Sequence, residues 1–158
     1  MILRIAALGA VLVAGLAIAD DDADRARLMG SWILVDGGKD APVWTFQDKG
    51  NIIHVTNSKS GRVLVEFDCD AFGHECTIKD GGRPATVSLW FVGPKLVEWE
   101  TEGNKGSSDV TKGTSVWKRT FGITGEGDTM DLVLAQVAPS NKQETQHFRR
   151  MTAADAAH

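Results

Sequence analysis

The sequence contains no tyrosine, no cluster of lysine and arginine, and only two cysteines. After its first nineteen residues it also has no apolar run long enough to cross a bilayer. Each absence removes a class of function. With 17 Lys and Arg scattered among 21 Asp and Glu, the chain offers no basic landing surface for nucleic acid or an anionic membrane. A structural zinc site needs a second Cys or His pair, and none is present, so no metal is expected. G-x-S-x-G, H-E-x-x-H, the P-loop and the dinucleotide-binding glycine pattern are all missing, so neither catalysis nor a cofactor is expected. There is no βαβ alternation, no internal repeat and no linker, which leaves a single domain.

The leader is the clearest positive signal. Arg4 is the only charge before Asp20; the apolar run Ile5 to Ile18 follows it, and Ala17-Ile18-Ala19 provides small residues at a cleavage site. This layout predicts a cleavable signal peptide over residues 1–19. About fourteen apolar residues fall short of the roughly twenty that a spanning helix needs. The short basic start and alanine-rich run are bacterial in style, and imply a periplasmic or secreted protein. Residues 20–158 then carry 16 basic and 21 acidic groups, a net charge of −5. Residues 20–151 are expected to form the domain, and 152–158 a disordered tail.

Short β-type runs separated by turn residues fill the rest. Ser31–Val35 runs into Asp36-Gly37-Gly38, and Val43–Gln47 into Asp48-Lys49-Gly50. Asn51–Thr56 and Arg62–Cys69 follow, the latter with Val63, Val65, Phe67 and Cys69 alternating with polar residues. Further runs cover Cys76–Lys79, Thr86–Phe91, Lys95–Glu100, Thr114–Phe121, Thr129–Val137 and Glu144–Met151. Strands at this spacing predict an all-β, antiparallel up-and-down barrel of about 8–10 strands. Asp21–Met29, acidic first and basic later with Gly30 beyond, predicts one short N-terminal helix. Gly103–Gly113 is the long polar loop.

Cys69 and Cys76 flank a six-residue spacer containing a turn-forming glycine. In an oxidising compartment the expectation is a disulfide. The alternative is a metal site drawn from Asp68, Asp70 and His74 with the two thiols.

Leu28-Met29-Gly30-Ser31-Trp32 carries a G-x-W where the short helix meets the first strand, which resembles the opening motif of lipocalins and the wider calycin group. The stretch Arg83–Phe91, with Gly93-Pro94-Lys95-Leu96-Val97, is similar to small secreted bacterial lipocalin-like proteins of uncharacterised function. The resemblance extends over most of residues 28–151. It implies a structural motif of Gly30 and Trp32 with an arginine of the last strand. Arg149 is the choice here and its neighbour Arg150 the other candidate. A guanidinium over an indole contributes about 0.5–2 kcal/mol.

Five tryptophans without one tyrosine is an unusual aromatic set. Core packing accounts for most of them, but Trp44, Trp90, Trp99 and Trp117 are candidates to line a cavity, with Trp90 and Trp99 favoured, and the strand of Trp90 looks apolar on both faces. Glu98 is the polar candidate. Glu98 and Glu100 alternate with Trp99, as Glu66 and Asp68 do along their own strand, and the plainer reading of both rows is a solvent-facing edge. His147 as an axial ligand is a remote option. The leading expectation is an exported barrel that holds a small, largely apolar molecule without chemistry. The alternative is a filled barrel that binds or inhibits a protein partner through its loops, and a third reading is a small isomerase or hydrolase using inward carboxylates. No protein partner can be named.

Overall fold

The computed structural model describes residues 19–103 and 115–157. All of the expected signal peptide except Ala19, and all of the Gly103–Gly113 loop except Gly103, lie outside the described residues. Helix α1 (Ala19–Leu28) is followed by ten strands: β1 (Gly30–Leu34), β2 (Pro42–Lys49), β3 (Ile52–Lys59), β4 (Arg62–Asp70) and β5 (Phe72–Asp80), then β6 (Arg83–Val92), β7 (Lys95–Glu102), β8 (Ser115–Thr124), β9 (Thr129–Ala138) and β10 (Lys142–Arg150). Every ladder is antiparallel, and the order is β4-β3-β2-β1-β10-β9-β8-β7-β6-β5. Successive strands are neighbours and the first pairs with the last. The all-β up-and-down barrel expected from the turn spacing is therefore present, nearly closed.

The closure is incomplete in one place. β4 and β5 are the two edges of the sheet, consecutive in the chain but joined by no ladder. Here the expected disulfide forms: Cys69 on β4 and Cys76 on β5 are bonded, with Cα atoms 5.8 Å apart. The sulfurs are thus committed to each other, which removes them as metal ligands. The link between the strands is also tighter than the sequence suggested. Asp70 accepts the Phe72 backbone N–H at 2.9 Å, so β5 starts at Phe72 and takes in most of what looked like a loop.

The interior is not uniform along the barrel axis. Toward α1 it is packed solid with Trp32, Phe46, Ile53, Val55, Leu89, Leu96, Phe121, Met130, Leu132 and Phe148, all essentially solvent-free. Trp44 and Phe46 on β2 each meet Phe121 on β8 edge-on, with ring centroids 5.0 Å apart. β2 and β8 have three strands between them in the sheet, so these contacts cross the lumen and fill it. α1 closes this end. It places Leu28 into the core, and Arg25 forks onto the Asp48 carboxylate at 3.0 and 2.9 Å.

The G-x-W motif is built into the same closure. Trp32 is fully buried and donates its indole N–H to the Leu28 carbonyl at 2.8 Å, joining the strand to the helix end. The arginine over it is Arg150, whose guanidinium carbon lies 4.3 Å from the indole centroid. Arg149 does not take that place. Side chains alternate along a strand, and Arg150 shares the inward row of Phe148 while Arg149 faces out, bound to Asp155 at 2.7 and 2.8 Å. Arg150 also donates to the carbonyls of Arg27, Met29 and Gly127, tying helix, first strand and the β8–β9 turn together. Gly30 is required here. Its φ is +115°, and a Cβ at that position would meet the Arg150 Nη1 at 2.9 Å. Beyond the last strand, Asp155 also accepts from the Thr152 amide and hydroxyl, and Asp155–Ala157 forms a 3-10 turn.

Candidate functional site

Away from α1 the inward row turns polar. On β7 the residues facing the lumen are Leu96, Glu98, Glu100 and Glu102; on β8 they are Phe121, Arg119 and Trp117. The register places Glu98 directly across from Arg119, and Glu100 across from Trp117. Arg119 donates to both Glu98 Oε1 and Glu100 Oε2, one guanidinium gripping two carboxylates. Glu98 is 1% exposed and Glu100 2%. Their remaining oxygens, Glu98 Oε2 and Glu100 Oε1, are shut off from solvent and have no hydrogen-bond partner among the described residues. This clasp sits at the boundary between the filled and the polar halves, with Arg119 5.8 Å from the centroid of Trp44.

Burial dominates the electrostatics. It pushes the Glu100 carboxyl up to about 7, and the Arg119 charge offsets only part of that rise. Burial alone would lower the Arg119 guanidinium, but the charges of Glu98 and Glu100 outweigh it and hold the group above its ordinary value. Further toward the mouth, Glu102 is raised by burial and by the neighbouring Asp80 carboxylate. Carboxylate oxygens of Asp80, Glu100 and Glu102 lie within 4.8 Å of one another, and these are the described residues with the spacing to hold a metal ion.

A cavity of about 460 Å³ opens beside the clasp, lined by Trp117, Leu134, Gln136, Lys142, Gln143 and Glu144 of β8, β9 and β10. Its volume is within the range of small-molecule sites. Two of its walls connect it to the clasp: Trp117 pairs across the sheet with Glu100, and Leu134 with Arg119.

The candidates named from sequence separate cleanly by face. Trp44, Trp117 and Glu98 point into the barrel. Trp90 and Trp99 do not: Trp90 shares the outer face of Thr86 and Ser88, and Trp99 is 36% exposed on the face opposite Glu98 and Glu100. The inward residues of β6 are Ala85, Val87 and Leu89, so the second apolar face of that strand is surface. The two carboxylate rows also part company. Glu66 and Asp68 are surface groups bound to His54 at 3.1 and 2.7 Å, whereas Glu98 and Glu100 are buried and not a solvent-facing edge. His147 is exposed on the outer wall, 2.7 Å from Asp131. Arg119 was not among the sequence candidates, and only the strand register reveals it.

A ten-stranded up-and-down barrel with its first and last strands paired, a capping N-terminal helix and an arginine stacked on a G-x-W tryptophan is a calycin-type, lipocalin-like fold. Comparison with known proteins agrees at that level. No family model and no curated protein matches the sequence. Among solved structures, similar barrels include apo lipid binding protein 8 of Caenorhabditis elegans, with a TM-score of 0.60 at 10% identity, covering 80% of this chain and 96% of that one. The secretory abundant heat soluble protein 4 of Ramazzottius varieornatus gives 0.61 at 15% identity over 80% and 96% of the two chains. A Schistosoma mansoni fatty acid binding protein in complex with arachidonic acid gives 0.57 at 17% identity over 82% and 99%.

Proposed function

We propose that this chain is an exported carrier or scavenger that binds one small, largely apolar molecule in the polar-mouthed half of its barrel, without turnover. The observation that carries the reading is the cavity of about 460 Å³ walled by Trp117 and Leu134, lying above a half that is already filled by its own side chains. A pocket with apolar walls and a few convergent polar groups suits a ligand with a short hydrocarbon body and a single polar end. The fold is shared with proteins named for lipid and fatty acid binding, which supports the same class. The leader-like pattern of residues 1–19 supports export, and the Cys69–Cys76 bond accords with an oxidising compartment.

The test is a fluorescence titration of residues 20–158 with straight-chain alcohols of increasing length, joined to native mass spectrometry. Trp117 should respond saturably at one ligand per chain, with an optimum chain length set by the cavity. Trp117→Ala should remove the response and weaken binding about tenfold, whereas Trp99→Ala on the outer wall should leave affinity unchanged. If no alcohol of any length gives a saturable signal, the cavity is not a binding site.

A further inference from the structure

We propose that the polar end of the bound molecule is a cation, an aliphatic primary amine, and not a carboxylate. This rests on the carrier reading above and concerns which head group the clasp accepts. The charges along the lumen decide it. Glu98 and Glu100 share one guanidinium, so the clasp carries one uncompensated negative charge when both are ionised. Toward the mouth Asp80 and Glu102 add two more carboxylates, and Glu102 faces the partial counterweight of Arg83 at the rim. On the cavity wall, Lys142 and Glu144 offset each other.

An anionic head placed beside this set would meet like charge in a poorly solvated space, and Arg119 has no charge left over to receive it. An ammonium meets the opposite situation. It brings N–H donors and no acceptor, and Glu98 Oε2 and Glu100 Oε1 are buried acceptors without donors. One cation at the clasp would satisfy both oxygens and neutralise the excess charge. Trp117 and Leu134 connect the clasp to the cavity, so the hydrocarbon body would extend from the charge along those walls. Trp117, the cross-strand neighbour of Glu100, puts an indole on the path from the clasp to the cavity.

The experiment compares decylamine, decanoate and decanol, each below its micellar range, by isothermal titration calorimetry at pH 8. Exchanging a neutral donor for a charged one at a buried acceptor predicts decylamine binding about tenfold tighter than decanol, with decanoate the weakest. Glu98→Gln and Glu100→Gln, made separately so that one folding failure does not remove the test, should each reduce the ratio of amine to decanol affinity to about threefold or less. Lowering the pH of the wild type from 8 to 5.5 should erode the amine preference as Glu100 takes up a proton. The charged groups facing Glu100 are Glu98 and Glu102 on its own strand, Arg119 on β8 and Asp80 on β5. Decanoate binding as tightly as decylamine, with decanol also bound, would overturn the head-group assignment and leave the carrier reading standing. If none of the three binds, both fail. Saturable calcium binding without amine binding would overturn the amine in favour of a metal ion.

Discussion

Replacing Arg119 by methionine isolates the energetic role of the clasp. The methionine retains most of the hydrocarbon stem and packing against Trp44, so the main loss is one charge and its hydrogen bonds to Glu98 and Glu100. Two carboxylates, 1% and 2% exposed, would then be left without their cation. Removing one partner of a buried ion pair destabilises by about 3–5 kcal/mol, because the remaining charge is stranded. Against the roughly 5–15 kcal/mol that holds a domain together, R119M should remain folded at pH 5 and come close to unfolding at pH 8. The pH dependence follows from sign. Arg119 is the group that pulls the Glu100 carboxyl down, so without it that carboxyl rises above its present value of about 7 and is neutral in mild acid. Urea denaturation followed by tryptophan fluorescence at pH 5 and pH 8 measures both values. A deficit below about 1 kcal/mol at pH 8, or one equal at the two pH values, would refute the account.

Four further outcomes follow from the same geometry. In the wild type, Glu100 has a folded-state value near 7 against an ordinary 4.5, so stability should fall as pH rises from about 4.5 to 7, by on the order of 3 kcal/mol; Glu100→Gln should flatten that slope. Below about pH 4 the opposite trend should appear, because Asp68, Asp70 and Asp155 are held below their ordinary values by partners they lose on protonation. Cys69→Ser with Cys76→Ser should lower the urea midpoint by the equivalent of about 2–3 kcal/mol, the chain-entropy value for so short a ring. Gly30→Ala should cost about 1–3 kcal/mol in thermal unfolding, since it adds a strained φ and a clash with Arg150.

The architecture was legible because its signals are local. Glycine-bearing turns and alternating runs mark strand limits to within a few residues, and the G-x-W tripeptide sits where helix meets strand. The disulfide could be read from spacing and compartment. The site was less legible, because a strand with two apolar faces does not declare which one is inward. On β6, Trp90 and Leu89 are equally apolar neighbours, and a one-residue change of phase exchanges their places. Only the Glu98-Trp99-Glu100 alternation carried usable information, and size misled it: the tryptophan looked like the interior residue and the glutamates like surface. Their burial depends on Arg119, about twenty positions away and brought alongside by register alone. The same holds for the last strand, where Arg149 and Arg150 have identical chemistry and only the inward row distinguishes them.

The seam between β4 and β5 has a consequence for what this chain does in company. Unpaired strand edges are templates on which other chains can add strands, and most barrels avoid that hazard by closing their ladders. Here the two edges share no backbone ladder and are held side by side by the Cys69–Cys76 bridge, helped only at the link by Asp70 bonding Phe72 and His74. The sulfur bridge thus acts as a guard against self-association. A reducing medium that spared the core would leave two strand margins free to part at once, each open to the addition of a strand from another chain.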